Sequence, residues 1–415
     1  MELTLCQSRA LELLQSKENV FITGEAGTGK SFLIHKYLIR YAPKSPILAS
    51  TGAAAVLVGG RTFHSFFGLG ILEGGKERVV DNAMRNGKLL KRLRECEEII
   101  IDEISMLPGI VLETAEEIAR MARESDEPWG GLRLIAVGDF AQLPPVTARG
   151  SQRDWAFMHP VWQKTQFQTF CLKTPVRFVD SAFYSALNTI RMGGISSQGA
   201  EMLNKRLREE KPKDVTHLYP WRKMVQEYNQ KRLEEIDHSL VQIPSIYSGQ
   251  QRAVEQLKKQ APVPESLELK MDSYVMLQQN DPRGRWVNGS TGWVRDIGNE
   301  KITIELVNGK TIRVAKAAFS MVDADGHIIA EVVNFPLQLA YATTIHKSQG
   351  QTFDRAVIYL KGLWEPGQAY VALSRLRSSD GLYLASWSAQ SFRVDPYVAR
   401  FYNSFQELTE INPSL

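Results

Sequence analysis

The chain has 415 residues, 43% of them hydrophobic and 23% charged, which is the composition of a globular protein with a packed core and room for roughly two to four domains. Its 50 Lys and Arg against 46 Asp and Glu make an excess too small to argue for a nucleic-acid partner, though it permits one. Cys6, Cys96 and Cys171 are odd in number and far apart, which excludes a disulfide framework and a zinc finger, and no run approaches transmembrane length. The N-terminus, MELTLCQSRALELLQ, reads as neither a secretory signal nor a transit peptide, so a cytoplasmic protein of bacterial or phage type is expected.

In chain order, NVFIT (19–23) reads as a buried strand, SFLIHKYLIRY (31–41) as a helix, and PILAST (46–51), EEIIIDE (97–103) and LRLIAVGD (132–139) as further strands. Strands alternating with helices predict a parallel α/β sheet. Between them, residues 68–95 are Gly-rich and then basic, an insertion that reads equally as a solvated surface helix or a nucleic-acid-facing flap. After residue 170 the texture is helical and polar. From 284 to 332 it alternates apolar and polar residues, and ELVNGKTI predicts a hairpin with an Asn-Gly I′ turn, so a small β barrel is expected. Then α/β texture returns with PLQLAYATTIHKSQG, RAVIYL, GQAYVALSR and GLYLASW.

GEAGTGKS (24–31) fits G-x-x-x-x-G-K-[ST] directly after a strand. Gly24, Gly27, Thr28 and Gly29 let backbone N–H groups wrap phosphate, Lys30 reaches the β and γ phosphates, and Ser31 offers a hydroxyl to Mg²⁺. EEIIIDEISM (97–106) delivers Asp102 and Glu103 to the carboxyl end of a buried strand. There Asp102 is suited to hold Mg²⁺, and Glu103 to orient or deprotonate the attacking water. A Gly-rich turn and a chance acidic pair are the bland alternatives, and the pairing of the two motifs disfavours both. ATP hydrolysis with Mg²⁺ is expected.

Phosphate sites recur on motors, kinases and switches, so the rest of the chain must decide their use. Its motif series resembles the superfamily 1B helicases, and most closely the petite integration frequency helicase family. LTLCQ (3–7) resembles the Q motif, with Gln7 the implied adenine reader. STGAAAVLVGGRTFHSFFGLG (50–70) resembles the DNA-contacting segment after the phosphate loop, implying Thr51, Phe63 and His64 as DNA contacts, although close-spaced Phe63, Phe66 and Phe67 also read as core. GDFAQLPPV (138–146) is the most specific stretch. Gln142 is the implied γ-phosphate sensor, with Pro144 and Pro145 stiffening a turn against DNA. ATTIHKSQGQTFD (342–354) and YVALSRLRS (370–378) resemble the two late motifs. They imply Thr343, His346 and Lys347 as phosphate-backbone contacts near the start of a predicted helix, Gln349 and Gly350 on the nucleotide side, and Arg375 as an arginine finger. Arg177 is the second implied finger, but Phe178 stands where the family places Gln.

The resemblance implies an α/β fold of two RecA-like motor domains, the first from 1–67 and 96–172, the second from 173–283 and 333–415. A wedge (68–95) and an SH3-like barrel (284–332) are the implied insertions. It further implies an ATP-dependent 5′→3′ DNA helicase, free as a monomer, acting on single-stranded DNA and single–double-strand junctions. G-quadruplexes and RNA–DNA hybrids are additional substrates it suggests, with roles in repair, recombination or telomere-type maintenance. The alternatives that stay open are a RecD-like motor subunit of a recombination nuclease and a DNA-stimulated ATPase switch without unwinding.

Overall fold

The structure, a computed structural model, describes residues 2–50, 61–70, 75–145, 152–322 and 327–411, with side chains described to residue 405. The chain divides into two compact units, one formed by 1–177 with 322–327 and 394–415, the other by 178–321 with 328–393.

In the first unit, strands β1 (Val20–Gly24), β2 (Ile47–Ala49), β3 (Arg61–Thr62), β4 (Glu98–Asp102), β5 (Arg133–Val137) and β6 (Gln168–Leu172) form a sheet in the order β3-β2-β4-β5-β1-β6. Every pairing is parallel, with Ile101 opposite Ala136 and Ile22 opposite Val137 and Phe170. All five β1 residues are buried, as a strand covered on both faces requires. That is why NVFIT and IIID read as unbroken apolar runs. The insertion after Gly70 contains two helices, Lys76–Met84 and Gly87–Glu95.

The remaining strands are β7 (Thr216–Tyr219), β8 (Val241–Pro244), β9 (Ile246–Gly249), β10 (Ser266–Leu269), β11 (Tyr274–Leu277), β12 (Thr291–Ile297), β13 (Lys301–Leu306), β14 (Thr311–Ala315), β15 (Ala317–Val322), β16 (Ile328–Asn334), β17 (Leu337–Leu339), β18 (Ala342–Thr344), β19 (Ala356–Tyr359) and β20 (Leu382–Ser386). A second parallel sheet has the order β18-β7-β19-β20. The alternating stretch forms an antiparallel sheet, β14-β13-β12-β11-β17, around Val294, Ile302, Ile304, Ile312 and Val314. It takes in β11 and β17, outside 284–332, because their apolar residues Val275, Leu277 and Leu337 complete the same core.

Two expectations change here. The β13–β14 hairpin forms, but not through a I′ turn. Gly309 alone takes a positive φ, +81°, its N–H donates to the Leu306 carbonyl at 2.8 Å, and the longer loop absorbs the strand twist. The C-terminal helix Pro396–Ile411, expected with the second motor domain, belongs to the first unit. Its Phe401 packs on Phe157, Phe140 and Phe21, with ring centroids 4.4, 5.4 and 6.3 Å away. This aromatic cluster is drawn from separate stretches of sequence, so no local pattern announces it.

Candidate functional site

The phosphate loop closes β1 and starts the helix Lys30–Arg40. A Cβ on Gly24 would lie 2.4 Å from the Leu172 carbonyl oxygen, so only glycine lets the loop leave the sheet beside β6. Gly29 has φ +83°, and a Cβ there would meet Gln7 Nε2 at 2.4 Å. Gln7 explains that crowding. Its Nε2 donates to the Thr28 carbonyl at 3.0 Å, and its Oε1 accepts from Thr4 N–H at 3.0 Å. Gln7, 1% exposed, therefore fastens the first helix to the loop. From the other side, Val176 and Arg177 N–H groups donate to the Gly27 carbonyl at 2.8 and 3.1 Å. Lys30 Nζ reaches the Gly24 and Glu25 carbonyls at 2.8 and 3.1 Å. Ser31 is exposed at the helix start.

Because β4 lies between β2 and β5, Asp102 and Glu103 emerge at the same sheet edge as the strand end before Gln142. Asp102 Oδ1 accepts from the Glu103 N–H at 3.0 Å. Burial pushes the Asp102 carboxyl above its ordinary range, opposed by that bond and by the Lys30 charge. Glu103 takes a left-handed backbone, φ 53°. Gln142 is buried, and its N–H donates to the Asp139 carbonyl at 3.0 Å; Pro144 is buried behind it.

Sequence reasoning missed what holds this turn. The Tyr402 hydroxyl donates to Asp139 Oδ1 at 3.0 Å, accepts from Phe140 N–H at 2.9 Å and lies 3.0 Å from Thr23 Oγ1. One side chain thus joins the strand end before Gly24 to the Gln142 turn. The only sequence signal is the aromatic run RFYNSF (400–405), which a bare helix pattern does not distinguish from core packing.

Of the implied DNA contacts in the first unit, Thr51 lies outside the described residues. Phe63 is fully buried against Phe67, with ring centroids 4.8 Å apart, and offers no face to a base. His64 is partly accessible, and burial holds its imidazole below the usual value.

In the second unit, Thr343 lies in β18 opposite Leu218, 3% exposed. Residues 345–350 form consecutive turns and not the expected helix start. Thr344 Oγ1 accepts from Lys347 N–H at 3.1 Å, tying the turn back to the strand. This leaves His346 and Lys347 exposed, Gln349 N–H donating to the His346 carbonyl at 3.3 Å, and Gly350 at φ +78°. Arg375 is 2% exposed. Its guanidinium donates to the Val371 and Gln351 carbonyls at 2.8 and 3.4 Å and to Ser374 Oγ at 2.9 Å. Phe178 packs on Tyr184 and Phe183 at 5.5 and 6.1 Å, so an aromatic contact occupies the position of the family's Gln.

Among the described residues no three metal-ligating side chains cluster. One hydroxyl, Ser31, and one carboxylate, Asp102, form a donor set that fits Mg²⁺ carried in on phosphate oxygens and water, not a dedicated cage.

The family model described as PIF1-like helicase matches residues 7–200. The ATP-dependent DNA helicase Pif1 of Bdellovibrio bacteriovorus is 52% identical over 98% of this chain and 93% of its own length. The Xenopus laevis ATP-dependent DNA helicase PIF1 is 36% identical over 97% of this chain and 64% of its own length. Among solved structures, Bacteroides Pif1 in complex with ADP-AlF4 superposes with TM-score 0.85 at 28% identity, covering 98% of each chain. Bacteroides Pif1 bound to ssDNA superposes with TM-score 0.69 at 29% identity, again over 98% of each. With 52% identity to one of these helicases over nearly the whole of both chains, and with a phosphate loop and an acidic strand end on the first of its two parallel sheets, the chain belongs to the PIF1-like helicase family.

Proposed function

We propose that this chain, an ATP-dependent DNA helicase, moves 5′→3′ along single-stranded DNA and separates strands at single–double-strand junctions. The observation that carries the reading is the convergence of Lys30, Ser31, Asp102, Glu103 and Gln142 at the carboxyl edge of one parallel sheet, where open α/β sheets bind ligands. A second parallel sheet, bearing His346, Lys347 and Arg375, supports a two-motor machine.

In this reading Gly24, Gly27, Thr28 and Gly29 cradle the phosphates, and Lys30 neutralises them. Ser31 and Asp102 would hold Mg²⁺, which would supply positive charge against the phosphates. Glu103 takes the proton from the attacking water, and Gln142 orients that water. Arg375 and Arg177 supply the cations that complete the transition state. Gln7 reads the base through its remaining amide hydrogen while it keeps the loop in shape. Gln349 and Gly350 line the nucleotide. His64, His346, Lys347 and the Pro144 turn, with Thr51 and Thr343, contact the strand.

We assign residues 68–95 as the wedge and the sheet around 284–332 as an SH3-like insertion. The free protein is a monomer, and G-quadruplexes and RNA–DNA hybrids are further substrates. No described helix is long and apolar enough to cross a membrane, and we place the protein in the cytoplasm.

The test is ATP-dependent unwinding of two matched duplexes, one with a 5′ and one with a 3′ single-stranded tail, with Lys30→Ala as control. Unwinding of the 5′-tailed duplex alone is expected. Unwinding of the 3′-tailed duplex alone overturns the polarity. DNA-stimulated hydrolysis with neither duplex opened would make the chain a switch or a motor lacking a subunit.

A further inference from the structure

Trp221 stands between β7 and the helix Arg222–Glu234, at the helix N-cap. That position favours Ser, Thr, Asp or Asn, whose side chains satisfy the free N–H groups; here there is no side-chain cap. The indole is instead 49% exposed and lies on Trp364, with centroids 3.8 Å apart and planes 21° from parallel. Trp364 in turn faces His346 at 5.6 Å and 19°. Three nearly parallel rings are thus stacked, the outermost open to water.

The inner ring sits on a fixed stretch of backbone. The Trp364 main-chain N–H donates to Oε1 of fully buried Gln368 at 3.2 Å, and Arg393 donates to the Leu363 carbonyl at 2.6 Å. Around the rings the charge is positive. Arg222 follows Trp221 directly, and Lys347 follows His346. Although the His346 and Lys347 side chains reach solvent, neighbouring protein removes part of their hydration, and this together with the Arg222 charge lowers the pKa of both, while Glu365 opposes the shift at His346. Among the described residues neither Arg222 nor Lys347 has an ion-pair partner, whereas the next residue, Lys223, pairs with Glu227 at 3.8 Å. A flat apolar face with unpaired cations and open helix N–H groups beside it suits a ligand that is itself flat and apolar between anionic groups.

We propose that Trp221, backed by Trp364 and His346, is a stacking platform for a base of single-stranded nucleic acid, with Arg222 and Lys347 taking the flanking phosphates. This rests on the DNA-helicase reading and adds a contact that the motifs do not contain. Stacking tolerates any base because every base has a π face, so the platform holds a moving strand without reading its sequence.

The test uses the full chain and fluorescence anisotropy with a short labelled oligothymidylate, and with a strand of equal length whose bases are replaced by abasic spacers. Trp221→Ala should weaken oligothymidylate binding by about fivefold to a hundredfold. It should leave the already weaker abasic strand unchanged, and Trp221→Tyr should restore most of the loss. The DNA concentration for half-maximal ATPase should rise by the same factor. Thermal unfolding establishes that each variant is folded. Unchanged affinity in folded Trp221→Ala, or equal weakening for both strands, overturns the platform while leaving the DNA reading intact; unchanged affinity would point instead to a protein partner for the exposed ring. A parent chain that binds neither strand overturns the DNA reading and the platform with it.

Discussion

Tyr402→Phe removes one oxygen and tests how the first unit couples its phosphate loop to the Gln142 turn. That oxygen serves a donor bond to Asp139, an acceptor bond from Phe140 N–H and a contact to Thr23, all near 3.0 Å. Asp139 is fully buried and would keep the Ala141 N–H at 3.1 Å as a partner for the same oxygen. The Phe140 N–H, also buried, would lose its acceptor. An unsatisfied buried donor costs about 1–3 kcal/mol, and a lost bond to a charged carboxylate about 1.5–3 kcal/mol. Relaxation reduces the sum, so a loss of about 2–4 kcal/mol is expected. The ring itself stays, so packing on Phe401 and Phe405 (5.5 and 6.2 Å) is unchanged. Urea unfolding should show this destabilisation, and thermal unfolding a fall of roughly 4–16 °C in the first-unit transition at a domain of this size. DNA-stimulated kcat should fall as well, because the turn that carries Gln142 loses an anchor. A destabilisation below about 0.5 kcal/mol with unaltered kcat would refute the idea that this hydroxyl holds the site together.

Glu103→Gln should keep nucleotide and DNA binding but lower kcat by about a hundredfold or more, as expected for loss of a general base; single-turnover hydrolysis measures it, and retained turnover would remove Glu103 from the chemistry. Gly29→Ala forces a side chain into a left-handed backbone, at about 1–2 kcal/mol, and into Gln7 Nε2. ATP affinity should drop by about tenfold or more by fluorescent-nucleotide titration, and an affinity equal to the parent's would mean the loop is looser than its hydrogen bonds indicate. His217, buried and bonded to Tyr228 and Tyr359 at 2.9 and 3.2 Å, has its pKa lowered to about 4, mainly by burial and then by the Arg232 charge. The unfolded chain therefore binds the extra proton between about pH 6.5 and about 4. Stability of the second unit should be intact above pH 6.5 and fall with pH through that window, by at most about 1.4 kcal/mol per unit from this group. Urea midpoints of parent and His217→Gln across the window check it, and equal pH slopes would contradict the assignment.

The local chemistry was legible because phosphate binding constrains neighbouring residues. A loop that wraps an anion needs glycines at fixed offsets and a cation next to them, so GEAGTGKS and its preceding strand carry the site in one short stretch. The acidic strand end and the apolar runs of the parallel sheets were equally plain, since a strand covered on both faces has no room for polar residues. Where the readings failed, distance along the chain was the reason. Phe63, read both as a DNA contact and as core, is fully buried, because burial is set by what packs over it. The 345–350 segment has a helix-like composition, but its bond to Thr344 closes it into turns. Gln7 looked like a base reader alone, and the Thr28 carbonyl shows it also clamps the loop.

By itself, then, the sequence determined the nucleotide chemistry, the presence of two α/β motor textures and the family, since each depends on residues close in the chain or on a composition that a covered strand enforces. Tertiary structure alone decided that the C-terminal helix belongs to the first unit, that Tyr402 joins Thr23 to Asp139 across more than half the chain's length, and that Trp221, Trp364 and His346 stack. Those contacts link residues far apart in sequence. Their energy comes from burial and geometry that exist only once the sheets have formed, so no local pattern of residue types records them.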